Sequence, residues 1–173
     1  GDTVQVRHTS AATWGANTAT TLTIGGVSDT FTSTTTDSLV GDLTIVGTTA
    51  TVIDLGSLSS VTGSIEISGN TSATVIDVSS LTTVGGSLDL GGNTAATAID
   101  MSSLTTVGGS LDLSGNTSAT VIDIGSLTTV SGDLTIVDNG DAAVDMSAGT
   151  DVCGSLTIET TGTGSLSMGD GTV

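Results

Sequence analysis

Apolar residues fall two apart along most of the chain, in pairs set off by Gly, Ser, Thr and Asn. One series runs Leu43/Ile45, Ile65/Ile67, Leu88/Leu90, Leu111/Leu113, Leu134/Ile136 and Leu156/Ile158. A second runs Ile53/Leu55, Ile76/Val78, Ile99/Met101, Ile122/Ile124, Val144/Met146 and Leu166/Met168. A spacing of two places both side chains on one face of a strand, so each pair predicts one short strand with an inward apolar face. The Gly and Asn residues between the pairs supply tight turns. Nothing in the pattern suits an amphipathic helix.

The pairs recur with a fixed period. Leu58, Leu81, Leu104 and Leu127 stand 23 residues apart, each opening a variant of one phrase, such as SLTTVGGSLDLGGN. A second phrase follows each: TVIDV, TAIDM, TVIDI and AAVDM. Looser copies, VGDLTIVGTTATVIDL and VCGSLTIETTGTGSLSM, flank them, and TTLTIGGVSDTFTS reads as a degenerate first coil. One such unit cannot bury its apolar face alone, whereas stacked units form a continuous core. The expected fold is an all-β solenoid with coils of about 22–23 residues and two short strands per coil. Residues 1–35 are expected to form an N-terminal strand and capping segment, and residues 36–173 the repeat solenoid, in one domain.

The phrase L-x-x-V-x-G-x-L-x-L-x-x-N resembles the leucine-rich repeat. With its extra residue and Gly before the strand, it is most similar to the receptor L-domain variety. The resemblance covers roughly residues 36–168 and implies a solenoid fold. Function is left open among recognition, adhesion and scaffolding, since such repeats serve all three.

Charge narrows the function classes. Eighteen acidic residues face one cation, Arg7, for a formal net charge of −17. Nucleic-acid binding depends on cationic phosphate contacts, so it is excluded as a leading reading. A polybasic membrane contact fails on the same ground, and no apolar run is long enough to span a bilayer. The chain opens at Gly1 without a signal segment, which reads as a mature, secreted form. Low complexity with 25 Gly is balanced by a mean hydropathy of +0.38 and a strict apolar rhythm, which argues for order.

Several polar columns share the period. Asn70, Asn93, Asn116 and Asn139 are expected to form an inward ladder bonding the turn backbone, because buried backbone groups need partners. Asn70 and Asn116 also fit the N-glycosylation sequon, so glycan attachment is an alternative that an inward amide opposes. Asp54, Asp77, Asp100 and Asp123, with Asp145, lie between inward apolar residues and are expected to face outward, as are Glu66, Asp89 and Asp112. These columns are a solvated acidic face or, as the sharper alternative, a Ca²⁺-binding one, although no EF-hand or calcium-binding nonapeptide loop accompanies them. No other cofactor is expected.

Repetitive equivalent acids do not separate a general acid from a general base, so a glycosidase is disfavoured. His8 is the only histidine and lies far from Cys153, which disfavours nucleophilic catalysis. Cys153 fills a turn slot held elsewhere by Thr62, Gly85, Gly108 and Ser131, and reads as a small filler residue near solvent. Ser59-Ser60, Thr82-Thr83, Thr105-Thr106 and Thr128-Thr129 also stack. Placed in a turn, they give an ice-binding reading third rank.

The expected function is therefore that of a non-enzymatic extracellular structural protein, a fibre or surface-layer subunit that polymerises with itself head to tail. The alternative is a secreted recognition or adhesion module using the solenoid face. The ends carry the assembly expectation: Val4 and Val6 in an N-terminal strand, and Leu166 and Met168 in the last coil, where no Lys or Pro guards the edge.

Overall fold

The computed structural model describes residues 3–6, 21–24, 28–33, 38–159 and 162–169. Its strands form three parallel sheets. The first holds, in spatial order, β1 (Thr3–Val6), β3 (Ser28–Ser33), β6 (Thr49–Asp54), β9 (Val75–Asp77), β12 (Ala98–Asp100), β15 (Val121–Asp123), β18 (Ala143–Met146) and β21 (Leu166–Met168). The second holds β2 (Thr21–Ile24), β5 (Asp42–Ile45), β8 (Ile65–Glu66), β11 (Leu88–Asp89), β14 (Leu111–Asp112), β17 (Leu134–Val137) and β20 (Leu156–Glu159). The third holds β4 (Ser38–Leu39), β7 (Ser60–Val61), β10 (Thr83–Val84), β13 (Thr106–Val107), β16 (Thr129–Val130) and β19 (Asp151–Val152). No helix occurs among the described residues. The chain visits the third, second and first sheets in turn, making a parallel β-solenoid of about six coils of roughly 23 residues.

The columns of apolar residues align as the periodicity requires. Ile53 pairs with Ile76, Ile76 with Ile99, Ile99 with Ile122 and Ile122 with Val144. Leu43, Ile65, Leu88, Leu111 and Leu134 do the same in the second sheet. All of these side chains are buried, together with Leu58, Leu81, Leu104 and Leu127, in one continuous core along the stack. The expectation of two strands per coil is corrected to three. The third strand is only two residues long, and its inward Val61, Val84, Val107 and Val130 follow the preceding buried Leu by three positions rather than two. That spacing reads as a turn in one coil; stacking in register with its neighbours makes it a strand.

The degenerate segment near the start joins the same sheets. β2 pairs with β5, β3 with β6, and β1 with β3, all in parallel.

Turns repeat as faithfully as strands. Gly47, Gly69, Gly92 and Gly115 hold one turn position at φ between 60° and 76°, and Asp138 holds the same position in the next coil at φ 58°. An L-residue costs about 1–2 kcal/mol in this left-handed region, Asp somewhat less. Gly in turn gives up about 0.5–1 kcal/mol through the unfolded chain. Asp138→Gly is therefore expected to stabilise the protein by up to about 1 kcal/mol, read as a higher urea midpoint with unchanged slope.

Candidate functional site

The asparagine column is a ladder. Asn70, Asn93 and Asn116 are fully enclosed and Asn139 nearly so. The Asn70 N–H donates to Asn93 Oδ1 at 2.9 Å, Asn93 N–H to Asn116 Oδ1 at 3.1 Å, and Asn116 N–H to Asn139 Oδ1 at 3.0 Å. Side-chain amides return the contact to turn carbonyls: Asn70 Nδ2 to Ile45 O, Asn93 Nδ2 to Ile67 O and Leu90 O, and Asn116 Nδ2 to Leu113 O. Thr48 starts the ladder, its N–H and Oγ1 both donating to Asn70 Oδ1 at 2.9 Å. Sequence reasoning missed Thr48, although it sits 22 residues before Asn70. Asn139 Nδ2 is buried and finds no hydrogen-bond partner. The amides of both sequons, Asn70 and Asn116, thus point inward, and attaching a glycan there would need the turn to leave the core.

The acidic columns face outward. Asp54, Asp77, Asp100, Asp123 and Asp145 each accept, through Oδ1, the backbone N–H two residues on, at 2.9 to 3.0 Å. Asp89 and Asp112 do so in the second sheet. These are Asx turns, which end the strand and start the bend. Their signal was present as a Gly or Ser two residues after each Asp. Among the described residues no group of three His, Cys, Asp or Glu converges in a way that holds a metal ion. A further ladder went unforeseen: Asp42, Ser64, Ser87, Ser110 and Asp133 each accept the N–H of the equivalent residue one coil on, at 2.7 to 3.1 Å.

Asp89 stands at the centre of its column, between Glu66 and Asp112. Partial burial raises its pKa above the ordinary 3.8; the Gly91 N–H pulls the other way, and the Asp112 and Glu66 charges add to the rise. The folded state therefore holds this proton more tightly than the unfolded chain. Its contribution is fully present below about pH 3.8 and is lost as pH rises through the folded value. Asp89→Asn keeps an acceptor for Gly91 and removes the charge. It is expected to stabilise the protein at pH 7 by under about 1 kcal/mol, the effect being screened at a half-exposed site. It should also flatten the melting temperature between pH 4 and 7. A melting-temperature gain with Ca²⁺ beyond that of Na⁺ at equal ionic strength would reveal bound cations on these columns.

The Ser/Thr columns need a correction: they lie on and beside the third sheet, not in a turn. Ser60, Thr83, Thr106 and Thr129 are in register on its strands. Beside them, Thr82, Thr105 and Thr128 are exposed, each donating Oγ1 to the carbonyl of the equivalent residue one coil back at 2.9 to 3.0 Å. No acid interrupts these columns from Ser59 to Thr129, unlike the outward slots of the other two sheets. Cys153 is free and exposed just after β19. His8 and Arg7 lie outside the described residues.

The ends differ from the middle. In the last coil Leu166, Met168 and Leu156 are 39%, 44% and 42% exposed, whereas their partners one coil back, Val144, Met146 and Leu134, are at most 2% exposed. Val4 and Val6 lie in β1, at the opposite edge of the first sheet, paired to Phe31 and Ser33.

Fold and columns together define the class of the protein, a three-sheet parallel β-solenoid with an internal asparagine ladder and acidic outer columns. No family model, no curated protein and no solved structure matches the chain.

Proposed function

We propose that this chain is a non-enzymatic structural protein, working outside the cell as a fibre or surface-layer subunit that associates end to end with itself. The observation that carries the reading is the last coil. Its apolar residues occupy columns that are sealed in the coils from Leu43 to Met146, yet here they face solvent beside strand edges that pair with no other strand among the described residues. A cover of the same kind, another coil, satisfies both the apolar surface and the edge. The equivalence of the Asx-turn aspartates supports a non-catalytic role, because no one of them is set apart as acid, base or nucleophile. We read the coils as leucine-rich repeats of the receptor L-domain variety, which the ladder of Asn after each L-x-L strand supports. Sedimentation and negative-stain microscopy of the purified chain test the function. Rods longer than one protomer are expected, growing with concentration and salt; a monomer at high concentration in moderate salt would overturn it.

The third sheet favours a second reading, ice binding. Its in-register Thr columns present hydroxyl and methyl groups at the strand repeat of about 4.8 Å, free of acids from Ser59 to Thr129 and ending at Asp151 in the last strand, a regular array on which ordered water can sit. Thermal hysteresis in dilute buffer, abolished by Thr105→Lys, is the expected result; freezing behaviour equal to that of an inert protein would remove this reading.

A further inference from the structure

Resting on the proposed end-to-end association, we infer that the third sheet is the face by which two such rods lie side by side. Acids are absent from this face. Residues 57–64, 80–87, 103–110 and 126–132 span it in four successive coils and hold none, although the chain has eighteen. The other two sheets each carry an outward acidic column. It is Asp54, Asp77, Asp100, Asp123 and Asp145 on the first, and Glu66, Asp89 and Asp112 on the second. A net charge of −17 opposes contact between copies, and carboxylates facing one another across a joint oppose it most. Of the three sheets, only the third lets a second copy approach without that opposition. Asp151 closes the clear stretch in the last coil, and Asp37 directly precedes the first strand of the sheet in sequence. The four coils between them make the contact.

The hydroxyl groups suit burial. Thr82, Thr105 and Thr128 donate Oγ1 to the carbonyl one coil back, and Ser60 donates Oγ to Ser38 Oγ at 2.7 Å. These donors keep their partners when water is excluded, so covering them avoids the cost of an unpaired polar group. Area sets the condition for contact. Four coils at about 4.8 Å, each crossed by some four residues at about 3.3 Å, give roughly 250 Å² per copy. A standard interface takes about 800 Å² from each partner, so two single copies hold only weakly. Copies joined coil on coil add their faces to one another. About three per rod reach the standard area, and each further copy strengthens the contact. The same face serves on both rods, and the other two sheets are acidic, so association closes at two rods while the ends stay free to grow.

Thr105→Glu tests the face, with Thr120→Glu as its control. Both threonines are exposed, and both donate Oγ1 to the carbonyl one coil back at 3.0 Å. Thr105 adjoins β13 of the third sheet, Thr120 β15 of the first. Each variant adds one negative charge. In about 0.15 M salt, electron microscopy is expected to show paired rods for the unmodified chain and for Thr120→Glu, and single rods for Thr105→Glu. Equal pairing in all three, or sheets wider than two rods, would overturn the face while leaving end-to-end growth standing. Light scattering below the concentration at which rods form gives a second readout that needs no rods. Thr105→Glu is expected to raise the second virial coefficient more than Thr120→Glu, because its charge sits where copies touch. Equal increases would remove the third sheet as the contact. That difference without any rods would sink the end-to-end reading alone. Thermal hysteresis of the unmodified chain, with no such difference between the variants, would assign the face to ice and overturn the pairing.

Discussion

Asn93→Ala is expected to destabilise the protein by about 3–5 kcal/mol, seen as a lower urea midpoint. The side chain serves three backbone groups in the middle of the stack: it accepts from the Asn70 N–H and donates to Ile67 O and Leu90 O. Alanine leaves all three buried without that partner, each costing roughly 1–3 kcal/mol before relaxation. The same substitution at Asn139 makes the comparison internal. Its Nδ2 has no partner, so Asn139→Ala forfeits only the acceptor for the Asn116 N–H and should cost about 1–2 kcal/mol. Equal losses at the two positions would show that the ladder amides contribute nothing beyond their acceptor oxygens.

Gly109→Ala is expected to cost about 3 kcal/mol, the upper end of the overpacking range. Gly41, Gly63, Gly86, Gly109, Gly132 and Gly154 form a column just before the second-sheet strand. A Cβ at Gly109 would press on Ser87 Oγ and lie 2.9 Å from Ser87 N and 3.0 Å from Gly86 C. Those backbone atoms cannot withdraw freely, because Gly109 N–H donates to Gly86 O and Gly109 O accepts from Gly132 N–H, both at 2.9 Å. Coil must part from coil to admit the methyl group. Gly91→Ser provides the contrast, since Ser68 and Ser114 already occupy that column, and a change of under about 0.5 kcal/mol is expected. A mild effect at Gly109 would mean that the coil spacing yields more easily than this close approach implies.

The stack itself was legible because its signal is carried by side chains with a strict period. Ile76, Ile99 and Ile122 announce their column in the sequence, and so do Asn93 and Asn116. What stayed hidden depends on contacts between coils that a single coil does not reveal. Thr83-Val84 looks like a turn until Thr106-Val107 and Ser60-Val61 lie on either side of it. The close approach behind the Gly109 column is likewise a property of two coils. Thr48 escaped notice because Thr replaces Asn at the head of the ladder, where hydroxyl and N–H serve the next amide. The acidic columns were placed on the correct faces, but their Asx turns were not foreseen, although D-x-[GS] recurs at each one.

The coil also sets a mechanical scale. Some 23 residues advance the rod by a single strand spacing of about 4.8 Å, while the same residues drawn straight reach roughly 75 Å. A coil peeled from the rod under tension therefore pays out about fifteen times the length it occupied. Because every sheet pairing joins adjacent coils, this release proceeds in nearly equal steps. The rod is stiff when intact and, when overloaded, yields as a stored tether with one repeat as its unit of extension.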